Sequence, residues 1–284
     1  MSARTPHIDT LRAGSREALA AAIQRLDAYA ATAEVSQIAQ VGDELLAVAR
    51  LLERELRLRR ALADSSREAA QRQELVRNLL TGKVSEPAVD LLQALVEGHW
   101  SSPTDLLDAT ELLGVEALLA SAERGGDLAD VEDQLFRFGR LVAGQPELAA
   151  ALRDASVSAT QRAQLVRELL EGKARPATVE LVIVALHGLG GRNFDTSLAR
   201  LVELAAARRD RQVAYVTAAA PLSPEEEQQL AESLRRIYGR QVSVQVTIDP
   251  RVLGGLSVQV GHDLYDGTVL HRLSQARNAL TGRS

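Results

Sequence analysis

The chain reads as mainly α with a small α/β domain at its C-terminal end: two tandem helical bundles followed by a small sheet with helices. Three observations predict this. The first is an internal duplication, in which AAQRQELVRNLLTGK at 69–83 recurs as ATQRAQLVRELLEGK at 159–173, an offset of 90 residues. Carried outward without a gap, that offset leaves about 20 of the 54 positions from 45 to 98 identical to their partners. The second is apolar residues at helical spacing throughout the first 208 positions. The third is a change to period-2 alternation near residue 213, the pattern of half-buried strands.

Composition sets the outer limits. A chain of 284 residues with 46% hydrophobic and 25% charged content has room for two or three compact domains. Aromatic residues make up only 3%, so the core must be built from Leu, Val and Ala, a mixture that favours helix packing. A formal charge of -5 argues against a surface made to neutralise phosphates, and hence against nucleic acid as a partner. There is no cysteine, which excludes disulfides, thiolate metal clusters and thiol nucleophiles together. The opening MSARTPHIDTLRAGSREALAAAI is not expected to act as a secretory leader, because Gln24, Arg25 and Asp27 follow its alanine run too soon. No uncharged run approaches the roughly 20 residues of a membrane-spanning helix, so membrane attachment is expected to go through a partner.

Taken in order, the periodicity places helices at 11–33, 36–60, 67–81, 87–98, 104–123, 128–143, 147–153, 159–171, 177–187 and 195–208. Leu75, Val76, Leu79 and Leu80 share one stripe, while Arg72, Arg77 and Asn78 fall elsewhere on the wheel. Gly82 and Gly172 stand where a helix end wants a residue free to turn left-handed, and Pro87 and Pro176 lie in or near the first turn of the next helix. Two copies are fewer than a solenoid needs, so two small bundles are expected, 1–103 and 104–208. Arg208, Arg209 and Arg211 then read as a short basic joint into a third domain, 209–284. There, Ser223 is the expected N-cap of a helix with Pro224 at N1 and Glu225, Glu226 and Glu227 in its first turn. Thr268 to Leu280 reads as a last amphipathic helix.

The most informative stretch is QVSVQVTIDPRVLGGLSVQVG, 241–261. Val242, Val244, Val246 and Ile248 alternate with polar residues, Asp249-Pro250 breaks the run, and Leu256, Val258 and Val260 alternate again after Gly254-Gly255. Two strands around a glycine bend are expected. The set Asp249, Val252, Gly254, Gly255, Leu256, Val258 and Gly261, flanked by AYVTAAAPLSPEEEQQLAESLRRIYG and DGTVLHRLSQARNAL, resembles the C-terminal motif of the delta subunit of bacterial F-type ATP synthases, the family of the oligomycin sensitivity-conferring protein. In that family a six-helix bundle precedes the motif, and 104–208 fits that plan. The first copy, 1–103, departs from it. The longer form with a duplicated helical region resembles delta subunits of actinobacteria.

Other candidate sites read as structural. Gly82-Lys83 and Gly172-Lys173 lack the rest of a Walker loop and are helix ends. Gly188-Leu189-Gly190-Gly191 follows a helix rather than a strand, so it reads as a helix-to-helix turn and not a phosphate loop. His7, His99, His187, His262 and His271 show no metal-ligand spacing. Trp100 reads as a packing plug. No nucleophile-base pair and no acid-base pair stands out, so no catalytic, cofactor or metal site is expected.

The resemblance implies a non-catalytic stator, the peripheral-stalk subunit that holds the catalytic head against the turning rotor. It implies a single copy in a hetero-oligomeric complex on the cytoplasmic side of the cell membrane. Its partners would be the N-terminal segments of the alpha subunits, held by a helical bundle, and the C-terminal helix of the b subunit, met by the C-terminal domain. The alternative is a soluble helical adaptor or regulator unrelated to ATP synthesis.

Overall fold

The computed structural model describes residues 12–154, 156–209, 212–220, 222–238, 242–249, 252, 254–260 and 263–266. The chain divides into two units, 1–208 and 209–284.

The first unit is helical. Its first five helices are α1 (Ala13–Ala30), α2 (Val35–Arg54), α3 (Leu56–Ala63), α4 (Ala69–Leu80) and α5 (Glu86–Glu97). They are followed by α6 (Pro103–Arg124), α7 (Leu128–Gly144), α8 (Pro146–Arg153), α9 (Ala159–Leu170), α10 (Pro176–His187) and α11 (Phe194–Arg209), with a 3-10 turn at Leu189–Gly191. The duplication is plain in these bounds: α3, α4 and α5 are displaced by 90 residues onto α8, α9 and α10. Local devices recur with it. Asp64 accepts from the N–H of Ser66 at 3.0 Å, and Asp154 from the N–H of Ser156 at 2.8 Å, the same turn before α4 and before α9. Gly82 and Gly172 both carry positive φ, 76° and 65°, as helix ends of this type require.

By the same offset α1 corresponds to α6, and α6 corresponds to α11. Each repeat therefore contains six helices, and α6 belongs to both: it closes the first repeat and opens the second. This explains its composition. A helix that serves one core is apolar along a stripe, whereas one packed from all sides is apolar all round, and fifteen of the 22 residues of α6 are buried. The sequence-based division at 103 falls at the start of this helix, yet the contacts do not divide there. Residues 12–208 share a continuous apolar core that runs from Ala18 through Leu113 to Ala205.

The tightest crossing in this core joins α2 to α6 through glycines. A Cβ on Gly114 would sit 2.8 Å from Leu46 Cγ, and one on Gly42 would sit 3.0 Å from Leu118. The first contact would force Leu46 to shift and the second is tighter than ordinary carbon contacts, with the carbonyl oxygen of the opposite glycine 3.2 Å from each Cβ, so the two backbones approach this closely because both positions lack side chains.

One expected helix is two. The 36–60 segment breaks at Glu55, whose φ/ψ of -100°/75° ends α2 and starts α3. The duplicate marks the same place with Pro146 at the first position of α8, after Gln145. Trp100 is buried and donates from Nε1 to the Leu95 carbonyl at 2.9 Å, a packing plug with its one polar atom satisfied.

The second unit is a four-stranded mixed sheet with one helix: β1 (Gln212–Ala218), α12 (Pro224–Tyr238), β2 (Val242–Ile248), β3 (Leu256–Val260) and β4 (Asp263–Asp266). The strand order is β2-β1-β3-β4. β1 pairs parallel with β2 across the α12 crossover and antiparallel with β3. Val216, Leu234, Val242 and Val258 form its core. Ser223 caps α12 as expected: its Oγ accepts from the N–H of Glu226 at 3.2 Å, and Glu226 returns a carboxylate to the Ser223 N–H at 2.8 Å. The amphipathic segment 268–280 lies outside the described residues.

Candidate partner-binding surfaces

The C-terminal motif is a fold device. Gly254 and Gly255 hold φ of 112° and 78°, a region that disfavours side chains. The Asp249 N–H donates to the Ala218 carbonyl at 3.0 Å and the Val252 N–H to the Asp249 carbonyl at 3.0 Å, which turns the chain off the end of β2. Val258 is buried and Leu256 packs beside it. Gly261 lies outside the described residues. The two strands do not pair with each other as a glycine bend alone would suggest. β1 lies between them. Period-2 alternation finds strands but not their neighbours, which is why this order escaped the sequence.

The other sequence candidates fall into structural roles. Gly188 to Gly191 form the turn from α10 to α11, with the Gly190 N–H donating to Glu111 Oε2 at 2.8 Å. His187 Nδ1 lies 2.8 Å from its own helix's Ile183 carbonyl. His7, His262 and His271 lie outside the described residues. Among the described residues no cluster of His, Asp and Glu has the arrangement of a metal site. Glu225, Glu226 and Glu227 stand exposed at the head of α12.

Two arginines, Arg72 off the apolar stripe of its helix and Arg208 of the expected basic joint, are buried. Arg72 caps the end of α5, donating to the Gly98 carbonyl at 2.9 Å and to the Glu97 carbonyl at 3.3 Å. Arg208, expected in a basic joint, is instead an internal tie. Its guanidinium reaches Asp27 on α1 at 2.7 Å, Glu116 on α6 at 2.9 Å and Glu123 on α6 at 2.7 Å. Desolvation disfavours its charge, but the three carboxylates outweigh this and hold it firmly protonated. The planar, five-donor fork of arginine is what allows one side chain to serve three acceptors. The signal available beforehand was the isolated Glu116 within the apolar run of α6, since a buried acid demands a partner.

Grooves open on the same unit, two of them lined by residues of the second repeat. One lies where the repeats join and has a volume of about 500 Å³. Val35, Ala39 and Asp43 of α2 form one wall, and Leu118, Ser121 and Ala122 of α6 form the floor. Val131 of α7 and Pro176, Ala177 and Glu180 of α10 form the opposite wall. Glu34, Asp43, Asp127 and Glu180 place four carboxylates around it against one cation, Arg175. That cation is engaged, lying 2.6 Å from Asp130 and 3.2 Å from Asp127. Asp43 is held above the usual carboxylate range, first by partial desolvation in the groove and then by the charge of Glu180 across it.

The second groove, about 430 Å³, runs between α7 and α11 and contains Phe136, Gly139, Leu198 and Val202. Its origin is visible in the duplication. The pair α7/α11 corresponds to α2/α6, but Glu132 and Leu204 stand where the first repeat has Gly42 and Gly114. Without the glycines the helices cannot close in the same way. Leu46 is buried at 6% exposure, and its counterpart Phe136 stands 54% exposed.

A helical unit with open apolar grooves, joined in sequence to a small mixed sheet, defines a helical-bundle protein with an appended α/β domain. The family described as ATP synthase delta (OSCP) subunit matches residues 115–280, the second repeat from within α6 together with the C-terminal unit. ATP synthase subunit delta of Salinispora arenicola is 60% identical over 271 residues, covering 95% of this chain and 99% of that protein. Its counterpart in Salinispora tropica is 58% identical over 271 residues, with the same coverage. ATP synthase subunit delta of Streptomyces griseus is 43% identical over 272 residues, covering 96% of this chain and all of that protein. The chain belongs to the ATP synthase delta (OSCP) subunit family. These relatives are actinobacterial and are matched almost end to end, so the first repeat is shared with them, as the resemblance of the long form implied.

Proposed function

We propose that this chain is a non-catalytic stator subunit of an F-type ATP synthase, joining the catalytic head to the membrane-anchored b subunit so that rotation is coupled to ATP synthesis. The observation that carries this reading is identity along nearly the whole length of proteins named ATP synthase subunit delta. An unrelated adaptor sharing only a fold would not retain 60% identity across both repeats and the C-terminal unit. Among the described residues no helix is long and apolar enough to cross a membrane, which suits attachment to the cytoplasmic side through the complex.

In this reading the helical unit takes N-terminal segments of the alpha subunits, and the C-terminal unit takes the C-terminal helix of b. A tether under torque needs contacts that do not release together, and two independent attachments supply this through effective concentration. The test is reconstitution. The full chain, added to membranes stripped of their catalytic head and of this subunit, is expected to restore rebinding of the head and proton-coupled ATP synthesis. Rebinding that is equally efficient without the chain would refute the role.

A further inference from the structure

We infer that the corner where α2 turns into α3, in the first repeat, is a docking surface for an acidic protein segment, held by Arg54, Arg57 and Arg60 around the exposed side chain of Leu56. The inference rests on the stator reading for where that segment is found, which is another subunit of the same complex.

In a chain of formal charge -5, residues 50–60 carry five arginines against two glutamates. Two of the five have partners inside the fold: Arg50 favours the charged form of Asp43, and Arg59 that of Asp108. Arg54, Arg57 and Arg60 stand exposed, and none of the three makes an ion pair among the described residues. Leu56 between them is 42% exposed. The duplication supplies an internal control. By the 90-residue offset the second repeat has Gly144, Glu147 and Ala150 at these positions, and it turns from α7 into α8 without the arginines. The fold therefore does not need these charges. At one position it opposes them: Arg57 lies in the first turn of α3, where the helix dipole disfavours a cation, whereas Glu147 lies in the first turn of α8, where an anion suits it. Arg54 has a local use, donating from Nε to the Arg50 carbonyl at 3.1 Å, but this engages only one of its donors. A cation that its own helix disfavours, and that meets no acid within the unit, breaks a local rule in the way that binding sites do.

The chemistry of the corner selects the partner. Guanidinium forks take carboxylates or phosphates. Glu53 and Glu55 stand exposed among the arginines and repel a continuous phosphate surface, whereas a protein segment can space its carboxylates to avoid them. Leu56, one helical turn from Arg60, gives such a segment an apolar anchor, and arginine is enriched where protein surfaces meet.

The test uses the full chain with photoreactive benzoylphenylalanine in place of Leu56, rebound together with the head to stripped membranes and irradiated. The captured peptide, sequenced by mass spectrometry, is expected to come from another subunit and to carry more Asp and Glu than Lys and Arg. Combining Arg54→Ala, Arg57→Glu and Arg60→Ala, close to what the second repeat carries, is expected to reduce that capture at least tenfold, and arginines placed at the carboxylates of the captured segment should restore it to the Arg57→Glu chain. Circular dichroism checks that each variant is folded, and Arg57→Glu alone, which the dipole of α3 favours, serves if the triple variant is not. Capture of a neutral or basic segment, of lipid or of nucleic acid, or capture undiminished by the substitutions, would each overturn the assignment. If the wild-type chain restores head rebinding but nothing is captured at position 56, this inference fails and the stator reading stands. If it does not restore rebinding, the stator reading itself fails and this partner with it.

Discussion

Glu111 makes the stability of the helical unit depend on pH in an unusual direction. It sits on α6, facing the turn from α10 to α11, and its carboxyl is pushed up from 4.5 to about 7. Burial is the main cause. The Gly190 N–H, donating at 2.8 Å, opposes it by favouring the charged form, while Asp108 and Glu53 add repulsion that Arg192 only partly offsets. A carboxyl with a raised pKa in the fold binds its proton more tightly folded than unfolded. Its penalty is therefore absent below about pH 4.5, grows as pH rises and is complete above about 7. At 1.36 kcal/mol per pH unit between the two values, the fold loses about 3 kcal/mol over that window, and residual solvent access trims this to about 2. Glu111→Gln keeps the acceptor for Gly190 and removes the charge. It should match the wild type at pH 4.5 and exceed its stability by about 2 kcal/mol at pH 8. Urea unfolding followed by helical circular dichroism at both pH values measures this. Parallel pH dependences for the two proteins, or a wild type that grows more stable from pH 5 to 8 by an amount that Glu111→Gln removes, would refute the reasoning.

Three further outcomes follow from the packing. Gly98→Ala would place a Cβ 2.2 Å from Ala18 Cβ with no flexible side chain to yield, so α1 and α5 must separate. A loss of about 1–3 kcal/mol is expected, read as a lower urea midpoint. Arg208→Leu strips Asp27, Glu116 and Glu123 of their shared partner and should cost about 3–5 kcal/mol, a defect that shrinks as pH is lowered and the acids protonate. A fragment beginning at 104 exposes the face of α6 that packs on Gly42 and Leu46. Calorimetry should show no cooperative transition for its helical part, and the fragment should bind the dye ANS.

Much of this architecture could be read in advance, because it depends on local periodicity. Helix bounds followed from apolar spacing and from glycine and proline punctuation, and the 90-residue offset fixed the duplication. What escaped was tertiary. No local signal marks Glu55 as a break, although the duplicate does, since Pro146 occupies the corresponding place. Arg208 reads as surface charge because its three acids lie 85, 92 and 181 residues away. The junction groove draws its walls from α2, α6, α7 and α10, segments whose meeting no periodicity encodes. The family motif was legible, and Gly254, Gly255 and Val258 take part in the turn and core of the second unit.

The shared helix gives the duplication a mechanical meaning. Two bundles joined by a linker would meet across an interface of moderate, largely polar area that can hinge or open. Here the joint is a helix of 22 residues whose backbone hydrogen bonds and packing belong to both sides. Bending the repeats against each other requires either breaking that ladder or withdrawing Leu46 and Leu118 from the glycine crossing, and close-packed interiors do not deform by small continuous steps. Arg208 ties α11 back to α1 and α6, so the last helix of the second repeat is held by the first helix of the first. For a stator the consequence is direct. An added bundle on a flexible joint would absorb rotor torque as bending, whereas one that shares a helix transmits it.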